Sequence, residues 1–178
     1  MQNHHLSAWE TRSIDLQYNA AANVVLATLE RTEGPSSVRA LYVRGADQER
    51  YERIVPEEDD LSFHQVVVAH DAPLAIVNVM RKRHWSHLAL LDLASRTTSP
   101  LLSRPELLAL SGSEEHPMVK CWVSDLLRLS DDGDALMCLV GQPLGRPDGG
   151  ARMQYTLFEL RRSSRAMRCI SPLENPFW

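Results

Sequence analysis

A pattern of four short β-type runs recurs three times along the 178 residues, and it limits the fold more than any other feature. Each copy is centred on an apolar run with its own turn, at residues 24–29, 74–80 and 135–140. Self-similarity at a spacing of roughly 50 residues marks units that cannot bury both faces alone and must stack on their neighbours, as successive blades do. The third strands of the copies, Val-Arg-Ala-Leu-Tyr-Val, Leu-Ala-Leu-Leu-Asp-Leu and Tyr-Thr-Leu-Phe-Glu-Leu, start at 38, 88 and 155. The wider second interval is filled by a Gly/Pro-rich insertion at 143–152 and by the segment joining the second and third copies.

The second copy is the cleanest. Residues 63–68 are β-branched and run into the turn His70-Asp71-Ala72-Pro73, and residues 74–80 follow as a continuous apolar strand. Arg81-Lys82-Arg83-His84 suits a hairpin connection, with strands expected at 86–93 and 99–102. In the third copy Asp131-Asp132-Gly133-Asp134 separates two apolar runs, and an Asp-Gly step there is a strong hairpin signal because Gly accepts positive φ. Residues 143–150 read as a loop. In the first copy Tyr18-Asn19-Ala20-Ala21 reads as the turn before the strand at 24–29. Between the last two copies, Arg104-Pro105-Glu106 opens a short helical segment with Pro at its start.

Residues 129–136, Leu-Ser-Asp-Asp-Gly-Asp-Ala-Leu, followed by 155–160, resemble the repeat of TolB-like β-propellers, in which a Ser-x-Asp-Gly hairpin precedes a buried strand and an aliphatic strand ending in an acid follows. Residues 86–93 are similar to the same third-strand pattern. The resemblance spans about 10–172, with the hairpin motif complete only in the third copy. It implies an all-β, propeller-like fold of three four-stranded antiparallel blades, at about 10–56, 61–103 and 120–172, in a single domain 1–178. Another antiparallel β-sandwich is the alternative. Propellers of this kind include binding scaffolds, peptidase gating domains and lyases.

Closed propellers usually have four to eight blades. An end blade exposing on the order of 400 Å² of apolar face would forfeit roughly 10 kcal/mol at about 25 cal/mol per Å², as much as a whole domain's stability. The expectation is therefore a ring completed by a homodimer or by a protein partner covering the end blades, or a cap made from the terminal residues.

The formal charge of −4 gives no broad attraction to nucleic acid or an anionic membrane, and no apolar stretch is long enough to span a bilayer. The start has no secretory pattern, and a cytoplasmic protein is expected. The three cysteines, Cys121, Cys138 and Cys169, form no metal-type pair, and Cys138 and Cys169 are expected as buried thiols in apolar runs.

No nucleophile elbow or phosphate loop is present. The expected function is a non-catalytic protein-binding or scaffold module, without a cofactor, acting through the connections at 104–119, 143–152 and 172–178. Phe177 and Trp178 in the tail, with Arg146, Arg161 and Arg162, are the candidate partner-binding residues. The basic groups Arg81-Lys82-Arg83 and Arg161-Arg162 with Arg165 and Arg168 also serve as charged edges that resist unwanted strand pairing. The alternative is a metal-dependent propeller lyase or hydrolase, with a divalent ion held by His64, His70, His84 and His87. Against it, odd spacing of His84 and His87 on a strand would send them to opposite faces.

Overall fold

Short apolar runs rich in Val, Leu and Ile, punctuated by Asn, Asp, Gly and Pro, favour strands joined by tight turns. The computed structural model describes residues 11–33, 36–54, 61–82, 84–112, 121–145 and 151–173. Among them are twelve strands and one helix. The first sheet contains β1 (Thr11–Asn19), β2 (Val24–Glu33), β3 (Ser36–Gly45) and β4 (Glu52–Ile54). The second contains β5 (Leu61–Val68), β6 (Leu74–Arg81), β7 (His84–Asp92) and β8 (Thr97–Ser103). After α1 (Arg104–Ser111), the third contains β9 (Trp122–Leu129), β10 (Ala135–Gly145), β11 (Ala151–Arg161) and β12 (Ala166–Leu173). Every sheet is an antiparallel meander with its strands in sequence order, so the fold is all-β and propeller-like.

The alternation of side chains across each strand divides the core into layers between sheets. Leu26, Leu41 and Val43 of the first sheet pack on Ala75, Val77, Val79, Ala89 and Leu91 of the second. From the other face of the second sheet, Ile76, Trp85 and Leu88 meet Val123, Leu136, Cys138, Val140, Phe158 and Leu160 of the third. The middle sheet is thus covered on both faces, which is why β6 is apolar from Leu74 to Met80 at every position but Asn78. On the first sheet's far face Ala27, Leu29, Ala40 and Tyr42 are also buried.

The first strands of the sheets lie side by side and are joined by side chains that satisfy neighbouring backbone. Gln17 Nε2 on β1 donates to the Val66 carbonyl on β5 at 2.8 Å. Gln65 on β5 accepts from the Leu126 N–H at 3.0 Å and donates to Asp125 on β9 at 3.1 Å. The turns behind these strands are linked as well, Ala21 N–H donating to the His70 carbonyl and Asp71 N–H to the Asp131 carbonyl.

The turn after β1 begins one residue beyond Asn19 rather than at Tyr18. Asn19 is fully buried, its amide donating to the Ala69 and Ala72 carbonyls (2.6 and 2.8 Å) and accepting from the Ala22 N–H. It pins the first blade to the second, while Asn23 takes the positive φ of 52° that closes the turn. Residues 143–145, expected in a loop, extend β10, because the β10–β11 ladder continues to the Gly145/Ala151 pair. Cys138 is buried as expected, whereas Cys169, on β12 at the edge of the third sheet, is exposed.

Candidate functional site

The chain passes from the second sheet to the third through α1, and this crossing forms a cleft. Ser103 starts the helix, its N–H and Oγ–H both donating to the Glu106 carboxylate at 2.8 and 2.7 Å. Gly112 ends it with φ 66°, its N–H returned to the Leu108 carbonyl. Leu107 is driven completely into the layer between the second and third sheets, which fixes the helix along their outer edge.

Between α1 and the β11–β12 turn lies a cleft of about 180 Å³. Its floor is apolar, from Leu101, Leu102, Ala109, Leu110 and Leu160, and its rim carries Arg161, Arg162, Arg165 and Glu106. The turn that presents the arginines is tied down. Arg162 donates its backbone N–H to the Asp134 carbonyl at 2.8 Å and its Nε to the Gly133 carbonyl at 3.1 Å. Ser163 donates through N–H and Oγ to the Asp134 carboxylate. Arg165, with φ 51°, crosses to the second sheet, donating to the Leu101 carbonyl at 3.3 Å and lying 3.4 Å from Glu106. Arg161 Nε donates to Glu159 at 2.8 Å, and Arg168 pairs with the same carboxylate at 3.4 Å.

These contacts set the charge states. Hydrogen bonds from the Ser103 hydroxyl and N–H, followed by the field of Arg165, hold Glu106 below the usual glutamate range. The hydrogen bond from Arg161 does the same for Glu159 and raises Arg161 further. The lining thus carries three guanidinium groups and the Glu106 carboxylate, with Arg161 also paired to Glu159 and Asp134, and each guanidinium offers five N–H donors. Such a cleft can hold a bulky apolar group with an acidic group at its mouth.

Arg161 and Arg162 therefore stand together, and Arg165 joins them. Arg146, Phe177 and Trp178 lie outside the described residues. The connection 104–119 expected to act in binding contributes Glu106, Ala109 and Leu110 of α1, whereas Leu101, Leu102 and Leu160 of the floor were not singled out from the sequence as part of a site.

The histidines are dispersed. His70 sits in the β5–β6 turn, with Nδ1 2.5 Å from Asp71. His84 stands at the other end of β6, opposite Arg81, about 23 Å away for seven residues of strand. His64 lies beside Arg39, which donates to its carbonyl at 2.6 Å. A bulge at Ser86 lets His84 and His87 oppose Arg81 and Val79, so the two imidazoles share one face despite their odd spacing. That corrects the opposite-face expectation, yet His64, His70, His84 and His87 do not converge. Among the described residues no three His, Cys, Asp or Glu side chains are grouped to hold a metal ion.

A second opening, where β1, β5 and β9 meet, is lined by Asp15, Gln17, Arg39, His64 and Gln65. Gln17, Arg39 and Gln65 in its lining each bond across to a strand of a neighbouring blade. Among the described residues no helix is long and apolar enough to cross a membrane.

No protein-family model matches the chain, and no curated protein matches it in sequence. Among solved structures it is similar to the acylaminoacyl peptidase of Pyrococcus horikoshii, with a TM-score of 0.53 and 12% identity. The match covers 94% of this chain and 26% of that one, so the chain spans about a quarter of the peptidase's length. At this identity the likeness speaks for the fold, which is propeller-like, with three stacked four-stranded blades.

Proposed function

We propose that the chain is a non-catalytic protein-binding or scaffold module, related to TolB-like propeller repeats, whose α1 cleft accepts a peptide segment carrying an acidic residue next to bulky apolar side chains. The observation that carries this reading is the apolar floor rimmed by Arg161, Arg162 and Arg165 on a turn held by Asp134 and Gly133. A rigid turn presents donors without a large ordering cost, and apolar contact beneath them supplies the affinity that an exposed ion pair lacks. Supporting a role in a reducing, cytoplasmic setting, Cys121, Cys138 and Cys169 are all free thiols.

The test is fluorescence anisotropy with a panel of labelled peptides pairing Glu or Asp with Phe, Trp or Leu. Binding weakened tenfold or more by Arg161→Glu/Arg165→Glu, and by added salt, supports the reading. Absence of binding across the panel, or affinity indifferent to that double substitution, overturns it.

A further inference from the structure

We infer that the α1 cleft receives residues 174–178 of a second copy of this chain, with Phe177 and Trp178 on the apolar floor and Glu174 at the arginine rim. The inference rests on the binding reading above and names its occupant.

Complementarity is the first argument. The cleft offers an apolar floor under three guanidinium groups, with Glu106 the acid in its lining and Arg161 also paired to Glu159 and Asp134. Glu174-Asn175-Pro176-Phe177-Trp178 offers one acid and two aromatics with no basic residue. Phe and Trp supply large contact areas, and Pro176 narrows the backbone freedom lost on docking.

Reach is the second argument, and it selects a second copy. β12 runs away from the cleft: Ala166 pairs with Arg161 beside it, whereas Leu173 pairs with Tyr155 at the far end. Six residues of strand separate Tyr155 from Arg161, about 20 Å. Phe177 and Trp178 stand four and five residues past Leu173, and their backbones reach at most about 14 and 18 Å from it when fully extended, before any length is spent on reversing direction. A chain's aromatic pair therefore falls short of its own cleft. Another copy carries no such restriction, and reciprocal exchange around a two-fold axis gives two tail–cleft contacts, the second made at high effective concentration.

The test compares the full chain, a chain ending at Leu173, and full-length Phe177→Ala/Trp178→Ala by light scattering, with a labelled peptide of residues 172–178 titrated into the shortened chain and into the double-alanine chain. Expected are a mass twice 20.1 kDa for the full chain, a monomer for both variants, and peptide binding weakened tenfold or more by adding Arg161→Glu/Arg165→Glu. If the shortened chain does not fold, the double-alanine chain carries the comparison. A dimer that survives both changes, a monomeric full chain, or a peptide that fails to bind overturns the inference. Should other acidic–aromatic peptides occupy the cleft while this one does not, the tail assignment falls and the binding module stands. Failure of every peptide removes both.

Discussion

The Asp71 N–H donates to the Asp131 carbonyl across 2.8 Å, joining the first turn of the second blade to that of the third. Ala21 N–H meets the His70 carbonyl in the same relation one blade earlier, so equivalent backbone positions are stitched in the same direction twice. These bonds lie where turns would otherwise leave donors to water, and they set the angle between blades. Asn19 strengthens the first junction with three side-chain hydrogen bonds from a fully buried position. Asn19→Ala leaves the Ala69 and Ala72 carbonyls and the Ala22 N–H without it, and should cost about 3 kcal/mol. Urea denaturation would show this as a lower midpoint at unchanged slope.

Gly133 serves the other junction. Its φ is 75°, and a Cβ there would stand 2.7 Å from Leu74 Cδ1 of the second blade. Gly133→Ala combines left-handed strain with overpacking and should cost about 2–4 kcal/mol. Gly112→Ala is the control: φ is 66° but nothing lies within 4 Å of an added Cβ, so only the backbone term of about 1 kcal/mol is expected. Thermal melts of the two variants should separate clearly.

Cysteine labelling should distinguish the edge from the interior. Burial pushes the Cys138 thiol up to about 12, and Cys121 is buried as well, while Cys169 is exposed. Under native conditions Ellman's reagent should titrate one thiol quickly, and it should titrate all three in denaturant. Cys169→Ser should remove the fast phase.

Two pH windows follow from the charged turns. Serine hydroxyl and backbone donors lower Glu106 and Asp132, backbone donors from Ser163 and Ser95 lower Asp134 and Asp92, and Arg161 lowers Glu159. A folded pKa below the unfolded value gives stability present above the unfolded pKa and lost as pH falls through the folded one, so the midpoint of thermal unfolding should drop below about pH 4. His70 behaves oppositely. Its hydrogen bond to Asp71 raises it above the ordinary 6.5, and the contribution is complete below 6.5 and lost as pH rises through the folded value. Histidine NMR titration should show that rise, and Asp71→Asn should abolish it.

The blades were legible because their causes are local. Ser130-Asp131-Asp132-Gly133 closes as its sequence predicts, with Ser130 Oγ accepting from the Asp134 and Ala135 N–H groups. Asn19 misled because its type suits a turn, whereas its partners lie 50 and 53 residues further along. The cleft was half legible for the same reason: the arginine cluster is contiguous, but its floor comes from segments around 101–110 and 160 that meet only after the sheets stack. The histidines crowded into one repeat lost their meaning once β6 set His70 and His84 at its opposite ends.

Each ladder is woven from one uninterrupted stretch of polypeptide, with no strand lent from one sheet to the next among the described residues. Cutting the connection near 55–60 or 113–120 separates no two hydrogen-bonded strands, and a circularly permuted chain beginning at either place would keep all three ladders whole. The planes along which this molecule comes apart therefore run between blades, where only packed side chains and a few stitches resist, and mechanical unfolding should proceed in steps one blade in size.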